Sequence, residues 1–402
     1  MQTRPLEGVR VIDLTTYGAG PATGRVLADW GADVIKVENL TGDIARYSDS
    51  NYGIPCDMGA GPSWEIYNAN KRGISVDLKS DEGKTIMEKL LAGANVFLSN
   101  NRLRALKRMN LDYESMSARH PHIIWAHLSG YGTEGPNGDD PGFDTIAFWA
   151  RAGKLIDFAE KDTAPLVPPI SVGDSSAGPM LAGGIAAALY RQQKTGKGDK
   201  VMISLYGMSV WSLATMNLGT QCTDNLFPKS RKDTAPLTNT YRCKDGEWIV
   251  LTMFEWERYF PVICRLLGME DAANDFRFAN IKVAFENRHA LIQKMDEKML
   301  QHTAEEWSLI FRENDIPHSV LRHIKDITTD EQARSNCYMY PFATRASGEF
   351  YLPAPPVQFG GTFPPAHEHA PLLGEQTKEV LLEMGYTEEQ LRDLRKRKVI
   401  FG

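Results

Sequence analysis

Hydrophobic residues follow two different rhythms in the first 130 residues of the chain. Short runs rich in Val and Ile have the length of buried strands, and they alternate with stretches whose apolar residues recur at helical spacing. The predicted strands cover residues 9–14, 33–38, 73–78, 95–99 and 122–129. Strands that alternate with helices in this way predict βαβ units and a doubly wound α/β sheet.

The clearest predicted helix covers residues 81–91, where apolar residues fall on one face. Ser80 is a natural N-cap for it, and Asp81 and Glu82 place negative charge in the first turn, where the helix dipole favours it. Further helices are predicted at 178–190, 290–299 and 304–314, and further strands at 200–205 and 248–253. The strand at 248–253 and the helices at 290–299 and 304–314 lie in a stretch, 230–325, that we interpret as a second, smaller domain.

Composition excludes several classes of function. The chain has 402 residues and a net charge of −6, so no general attraction to nucleic acid is expected. No apolar run approaches the ~18 residues of a membrane span, and the first residues lack a signal-peptide layout. The five cysteines are widely spaced and form no CxxC, which argues against disulfides or zinc. We therefore expect a cytoplasmic protein with no metal, no membrane partner and no nucleic-acid partner.

A glycine-rich segment follows the first predicted strand and opens a helix. It contains Gly18, Gly20 and Gly24, and Glu38 ends the next strand 18 residues past Gly20. A dinucleotide fold needs glycines at this turn and an acidic residue about 20 residues further on. The match is imperfect because the third glycine falls one place late. The segment is equally compatible with NAD and with another nucleotide-shaped ligand in the same crevice.

Asp174 stands where a loop enters a predicted helix, in the segment SVGDSS at 171–176. One interpretation is structural, because Asp is a favoured N-cap. The other is catalytic. A helix end keeps a carboxylate ionised even in a poorly hydrated cleft, and an ionised carboxylate can attack an activated carbonyl. On that interpretation the backbone N–H groups near Gly173 and Ser175 are candidate oxyanion donors.

Basic residues cluster near the ends of two predicted strands. They are Lys71, Arg72 and Lys79 around the third strand, and Arg102, Arg104, Lys107 and Arg108 after Asn100. Any one of them fits a solvated helix face, but several cations near strand ends are also what a polyphosphate ligand requires. His367, Glu368 and His369 are discounted as a metal site because the spacing suggests no third ligand.

Segments along nearly the whole chain together resemble the class III CoA-transferases, the family of formyl-CoA and carnitine CoA-transferases. They are PLEGVRVIDL at 5–14, AGP at 19–21, GADVIKVE at 31–38, NANKRGISVDLKS at 68–80, SGYG at 129–132, GD at 173–174, TGKGDKVMISL at 195–205 and APLLGEQTKEVLLEMGY at 370–386. The order and spacing of these segments carry the resemblance.

The resemblance implies a Rossmann-like large domain that the chain leaves and rejoins, and an interlocked homodimer. We accordingly predict a large CoA-binding domain over 1–205 and 330–402, a linker helix over 206–229 and a small α+β domain over 230–329. The family nucleophile matches Asp174. The family's CoA contacts match Gly18, Ala19, Val76, Lys79, Asn100, Asn101, Arg102 and Arg108, and also Phe143 and Asp144 in the loop 141–144. No prosthetic group is implied, since CoA thioesters are the substrates.

Three departures from the family pattern concern the grip on CoA and the shielding of the intermediate. Asn39 replaces a basic residue found in some members, Pro141 replaces a loop lysine, and no shielding glycine loop occurs near 230–245. The related 2-methylacyl-CoA racemases need a histidine in a GHD loop, where this chain has Phe143. Racemisation is therefore the second hypothesis, beside carnitine-type or formyl-type transfer.

The segment at 140–153 looks most like the 2-hydroxyacid CoA-transferases of amino-acid fermentation, which use phenyllactate or 2-hydroxyisocaproate. Phe143, Phe148 and Trp149 would suit an apolar acyl pocket. The resemblance therefore implies transfer of CoA from an acyl-CoA to a 2-hydroxy acid, through an aspartyl anhydride and an aspartyl-CoA thioester.

Overall fold

The computed structural model of the protein describes residues 4–53, 61–223, 226–343, 345, 349–360 and 368–402. The chain divides into two compact units. The larger contains Met1–Gly153, Val167–Asn217 and Thr328–Gly402, and the smaller contains Lys154–Leu166 and Leu218–Ile327. The predicted domain division stays a prediction. The two units differ from it by assigning 154–166 to the smaller unit, by dividing the predicted linker 206–229 between the units after Asn217, and by assigning residues 328 and 329 to the larger unit. Cys56 and His367 lie outside the described residues.

Twelve strands and seventeen α-helices are found in the described part of the chain. The strands are β1 (Arg10–Leu14), β2 (Asp33–Glu38), β3 (Arg72–Val76), β4 (Val96–Ser99), β5 (Ile124–Ser129), β6 (Asp199–Ser204), β7 (Thr238–Arg242), β8 (Trp248–Thr252), β9 (His318–Val320), β10 (Met339–Ala343), β11 (Glu349–Pro353) and β12 (Ile400–Phe401). The helices are α1 (Ala19–Asp29), α2 (Pro62–Asn68), α3 (Asp81–Ala92), α4 (Leu103–Arg108), α5 (Tyr113–Arg119), α6 (Lys154–Asp157), α7 (Val172–Thr195), α8 (Leu205–Ser212), α9 (Ala214–Thr220), α10 (Trp256–Leu266), α11 (Glu270–Ala273), α12 (Ile281–Glu286), α13 (Arg288–Met299), α14 (Ala304–Glu313), α15 (Glu331–Ser335), α16 (Thr377–Glu383) and α17 (Glu388–Lys396).

The larger unit is built on a seven-stranded sheet in the order β12-β3-β2-β1-β4-β5-β6. All neighbouring pairs are parallel except β12 with β3. The prediction of a parallel α/β sheet is confirmed, and all six predicted strands of this sheet are present. β12 was missed, because a two-residue strand has too little pattern to predict.

Helices cover both faces of this sheet. Val11 packs into the core on one face together with residues of α1 and α7, and its neighbour Ile12 packs into the core on the other face together with α3, α16 and α17. Successive side chains of a strand point to opposite faces, so strands buried on both sides must be apolar at nearly every position. This is why the sheet was visible as runs of Val and Ile.

The helix predictions succeeded where capping and periodicity agreed. Ser80 caps α3 by accepting a hydrogen bond from the Gly83 N–H, as predicted. α7 begins at Val172, six residues before the predicted start. The prediction missed this first part because the glycine and serine residues in it have weak helix propensity. Tertiary packing holds this end: a β-carbon on Gly178 would lie 2.6 Å from the Ala22 β-carbon, so α7 rests directly on α1.

The smaller unit has its own hydrophobic core. β7, β8 and β9 form an antiparallel sheet, and buried side chains of α10, α13 and α14 pack with it. Trp256 stacks on Phe260, and Trp307 stacks on Phe311, within this core. Among the described residues, no helix is long and apolar enough to cross a membrane.

Two buried ion pairs hold the segment that follows β1. Lys71 Nζ lies 2.8 Å from Asp13 Oδ2, and Lys36 Nζ lies 3.0 Å from Asp43 Oδ2. Lys36 also donates a hydrogen bond to the Thr15 carbonyl, and Lys71 donates one to the Pro21 carbonyl. The ammonium groups therefore fix the backbone on both sides of the glycine segment, and breaking either pair leaves an uncompensated buried charge.

We expect Lys71→Met to lower the free energy of unfolding by about 3–5 kcal/mol, because Asp13 stays buried without its partner. Urea unfolding measures the change. The control is Lys378→Met, which removes a lysine whose pair with Glu388 is half-exposed on both sides and should change the free energy little. Equal effects of the two substitutions would contradict the structural role assigned to the Asp13–Lys71 pair.

Candidate active site

The strand order of the large sheet reverses between β1 and β4, and ligands of open α/β sheets bind in the crevice at such a point. Asn100, just after β4, bridges this crevice. Its Oδ1 accepts a hydrogen bond from the Thr16 N–H at 2.9 Å, and its Nδ2 donates one to the Thr16 carbonyl at 2.8 Å. Asn101 Nδ2 donates to the Leu14 carbonyl at 2.9 Å. These two amides therefore fasten the segment after β1 to the segment after β4.

A cleft of about 260 Å³ opens at this crevice, and we call it the Asp174 cleft. Its lining includes the predicted residues Gly18, Ala19, Asn100, Asn101, Arg102, Phe143 and Asp174. Loops after β1, β4 and β5 and the start of α7 supply these side chains. The fold thus brings together residues that are up to 156 positions apart in the sequence, from Gly18 to Asp174.

A second cavity of about 610 Å³, the Lys79 cavity, continues from the first. Thr16 and Asn101 line both. The predicted residues Val76, Lys79 and Arg108 line only the second. The two cavities therefore adjoin at Thr16 and Asn101, and we call them together the groove: Asp174 lines one part of it, and Lys79 and Arg108 line the other.

Position 18 must be glycine because it lies so close to Asp174, the candidate nucleophile, that no β-carbon fits between them. A β-carbon on Gly18 would lie 2.6 Å from Asp174 Oδ2, closer than real β-carbon contacts come. α1 begins at the next residue, Ala19, so the start of α1 faces the carboxylate. The first N–H groups of a helix have no partners within it, which places partial positive charge beside Asp174.

A second pair of glycines positions the loop that follows β5. A β-carbon on Gly130 would lie 2.6 Å from the Gly142 α-carbon, so the two backbones are in contact. This contact brings Phe143 to the rim of the cleft, where its ring meets Tyr17 edge-on, with the ring centroids 5.4 Å apart. The contact between Gly130 and Gly142 could not be predicted from the sequence, because no local pattern links the two positions.

Asp144 does not line either cavity. It is buried, and its Oδ1 accepts a hydrogen bond from the Gly173 N–H at 2.6 Å. A β-carbon on Gly173 would come within 2.4 Å of both Asp144 Oδ1 and the Phe148 ring, so this position has room only for glycine. Phe148 is buried in the core. Of the aromatic residues predicted for the acyl pocket, Phe143 is the one that lines the Asp174 cleft.

The predicted oxyanion donors are wrong. The Gly173 N–H is used by Asp144, and the Ser175 N–H donates to the Ser171 carbonyl at 2.9 Å. The structural interpretation of Asp174 as an N-cap is also wrong, since Ser171 is the N-cap of α7 and Asp174 is its third residue. Ser171 holds a positive φ of 68°, which costs a non-glycine residue energy and is typical of functional sites.

Asp174 is half-buried, and its protonation differs from the expectation. Burial, and after it the negative charge of Asp144, together raise the pKa of Asp174 to about 7, although a hydrogen bond from the Ser171 side chain acts in the opposite direction. Burial also raises the pKa of Asp144. The expectation that the helix end keeps Asp174 ionised is therefore not met near neutral pH, because desolvation and the like charge of Asp144 raise its pKa.

The predicted basic set divides into buried and exposed members. The contribution of Lys71 to a phosphate site is excluded, because Asp13, the Pro21 carbonyl and Asn68 surround its amine. Lys79, Arg102 and Arg108 are exposed along the groove.

Glu38, the acidic residue of the dinucleotide hypothesis, has its carboxylate committed to protein groups. Both oxygens accept hydrogen bonds from the Arg46 guanidinium, and Oε1 also accepts one from the Asp43 N–H. An acidic residue held in this way is not free to accept a ribose hydroxyl, so the geometry disfavours NAD. Among the described residues, no cluster of His, Cys, Asp or Glu could hold a metal ion.

Comparison with known proteins identifies the family. The chain belongs to CoA-transferase family III, whose sequence model matches residues 6–377, and it is therefore a CoA-transferase. It is 35% identical to the (R)-2-hydroxy-4-methylpentanoate CoA-transferase of Clostridioides difficile, covering 98% of this chain and 99% of that protein. It is 37% identical to the cinnamoyl-CoA:phenyllactate CoA-transferase of Clostridium sporogenes, covering 99% of this chain and 98% of that protein.

Solved structures agree with this assignment. The crystal structure of Rv3272 from Mycobacterium tuberculosis matches with a TM-score of 0.82 at 25% identity, covering 94% of this chain and 99% of that one. A CAIB/BAIF family protein from Brucella suis matches with a TM-score of 0.79 at 25% identity, covering 95% of this chain and 100% of that one.

The raised pKa of Asp174 predicts a pH-dependent cost to stability. Since the folded-state pKa lies above the usual value of 3.8, the folded protein holds an extra proton between about pH 4 and 7 and loses stability as the pH rises through that window. Asp174→Asn cannot ionise, so it should be more stable than the wild type by about 1–2 kcal/mol above pH 7, after allowance for solvent screening, and the gain should vanish near pH 4.

Urea unfolding at a series of pH values measures this difference. Asp140→Asn, at an exposed aspartate on the same groove, is the control and should show no such pH-dependent gain. A gain at Asp174 that is the same at pH 4 and pH 8 would show that ionisation is not its cause.

Proposed function

We propose that this CoA-transferase moves CoA from an acyl-CoA to a 2-hydroxy acid of amino-acid fermentation, with Asp174 as the covalent carrier. The observation that carries the proposal is the groove that joins the Asp174 carboxylate to the cationic Lys79 cavity. The phosphates of CoA lie near Lys79 and Arg108, and the pantetheine chain passes Thr16 and Asn101. The thioester then reaches Asp174.

The transfer proceeds through two kinds of intermediate. A carboxylate oxygen of Asp174 attacks the carbonyl carbon of the donor thioester. The C–S bond breaks, CoA departs as its thiolate, and a mixed anhydride of Asp174 with the acyl group is formed. The thiolate then attacks the side-chain carbonyl carbon of Asp174, which releases the first acid as its carboxylate and forms an aspartyl-CoA thioester. The acceptor carboxylate attacks this thioester and displaces the thiolate to give a second anhydride. Attack of the thiolate on the acyl carbon forms the new acyl-CoA and restores Asp174.

The groove supplies two conditions that this sequence needs. Both intermediates react with water, and the half-buried position of Asp174 against Gly18 limits access from that side. Negative charge develops on oxygen beside Asp174, and the start of α1 at Ala19 offers unpaired N–H groups there. The α1 terminus takes the role first assigned to the Gly173 and Ser175 amides.

The acid is proposed from two relatives and one side chain. The relatives at 35% and 37% identity are named for 2-hydroxy-4-methylpentanoate and phenyllactate. Both acids carry an apolar group, and Phe143 offers an exposed apolar ring at the cleft. The same residue argues against the racemase alternative, because a phenyl ring transfers no proton.

We also propose the interlocked homodimer and the cytoplasmic location that the family resemblance implies. Large apolar side chains such as Val167 and Trp211 are 76% and 71% exposed on the larger unit, which supports a covering partner. The molar mass in solution, compared with 44.9 kDa for one chain, tests the dimer.

Covalent trapping tests the carrier. The protein is mixed with 2-hydroxy-4-methylpentanoyl-CoA or cinnamoyl-CoA, quenched with hydroxylamine and digested, and the peptides are analysed by mass spectrometry. We expect a hydroxamate on Asp174, because hydroxylamine attacks the activated aspartyl carbonyl. Asp174→Ala should lose transfer entirely while keeping its fold. CoA binding without any adduct, or near wild-type transfer by the alanine variant, refutes the mechanism.

The pH profile tests the ionisation of the nucleophile. Because only the carboxylate attacks, kcat/KM should rise with pH until about pH 7. Asp144→Asn removes the like charge but keeps the oxygen that accepts the Gly173 N–H. It should move this acidic limb to lower pH, on the order of 0.5–1 unit.

The control for this shift is Asp140→Asn, which removes an exposed carboxylate on the same groove and should move the limb less. An acidic limb that stays in place in Asp144→Asn, or moves to higher pH, shows that Asp144 does not set the pKa of Asp174.

A further inference from the structure

Two side-chain hydroxyls lie beside Asp174 and belong to neither cavity of the groove. Ser175 follows Asp174 in α7, and Tyr67 comes from α2. The Tyr67 hydroxyl lies 3.2 Å from Ser175 Oγ, within hydrogen-bond distance. Ser175 is exposed and Tyr67 is half-exposed, so a bound molecule can reach the pair.

The pair retains hydrogen-bonding capacity. Each hydroxyl can donate one hydrogen bond and accept two; the bond between them uses one donor and one acceptor, and a hydrogen bond of Tyr67 with the Ser171 side chain uses one more position, so part of the capacity remains. Ser176, the next residue of α7, differs in this respect because its Oγ donates to the Val172 carbonyl of its own helix at 2.8 Å. Burial raises the pKa of Tyr67, and the charge of Asp174 raises it too, so the phenol keeps its proton at neutral pH.

The position of the pair relative to Asp174 suits one part of the substrate. The hydroxyl of a 2-hydroxy acid is carried by the carbon next to the carboxyl carbon. When that carboxyl is joined to Asp174 in the anhydride, any group that bonds the hydroxyl must lie beside Asp174. In the proposed function, CoA approaches Asp174 from the Gly18 side and the apolar group of the acid lies near Phe143, so the 2-hydroxyl is left to a third side of Asp174. Ser175 and Tyr67 are adjacent to Asp174 and outside that groove.

We propose that the Tyr67 and Ser175 hydroxyls bind the 2-hydroxyl of the acid and so select 2-hydroxy acids over their 2-deoxy analogues; this rests on the proposed function. The selectivity has a simple origin. A site that hydrogen-bonds a substrate hydroxyl disfavours the analogue that lacks it, because the protein groups are then left without that partner. The alternative is that the pair only joins α2 to α7, in which case its loss affects all acids alike.

The test measures kcat/KM for two acceptors with one carbon skeleton, 2-hydroxy-4-methylpentanoate and 4-methylpentanoate. We expect the wild type to prefer the hydroxy acid, and Tyr67→Phe and Ser175→Ala each to reduce the ratio of the two values about tenfold. Ser176→Ala is the matched control, because its hydroxyl is used within the helix, and its ratio should equal that of the wild type.

The outcomes separate this proposal from the proposed function. If the wild type forms the Asp174 hydroxamate but both substitutions leave the ratio unchanged, or lower both values equally, the hydroxyl pair does not read the substrate. If no hydroxamate forms with any acyl-CoA, the proposed function itself fails. A reduced ratio in both variants, with the hydroxamate still formed and Ser176→Ala unaffected, supports the assignment.

Discussion

The close approach of Gly18 to Asp174 is the constraint on which the active site depends. A β-carbon at position 18 would lie 2.6 Å from the carboxylate, so the first turn of α1 and the first turn of α7 can meet only through a glycine. The backbone that leads into α1 is held in place by two buried ion pairs, Asp13 with Lys71 and Lys36 with Asp43. Lys71, which the sequence places among the candidate phosphate-binding residues, therefore holds the backbone instead.

The same packing sets the chemistry of the carboxylate. Asp174 is desolvated by the contacts that position it, and Asp144 adds a second negative charge while holding the Gly173 N–H. A pKa of about 7 leaves this proposed nucleophile partly protonated at neutral pH, which is a cost in reactivity and in stability. In return, the half-buried position of Asp174 restricts the access of water to the two proposed intermediates, which water would hydrolyse. Stability and function therefore oppose each other at this residue.

Much of the fold could be predicted because its signals are local. The buried strands appear as runs of Val and Ile, and the Ser80 cap of α3 follows from adjacent residues. The early start of α7 could not be predicted, since Gly173, Ser175 and Ser176 have weak helix propensity, and the hydrogen bond from the Gly173 N–H to Asp144 forms only in the folded chain. The prediction for Lys71 failed for a similar reason: its partner Asp13 is 58 positions away, and no pattern in the sequence joins the two.

The sequence by itself determined the class of fold, the family and the identity of the candidate nucleophile, because periodicity and motif order are properties of the chain alone. The tertiary structure decided which predicted residues share the groove, that Asp144 is buried outside its lining and holds the Gly173 N–H, and that Tyr67 meets Ser175 beside Asp174. It also decided the protonation of Asp174. Desolvation and charge–charge repulsion depend on distances between residues remote in sequence, and those distances exist only after the chain has folded.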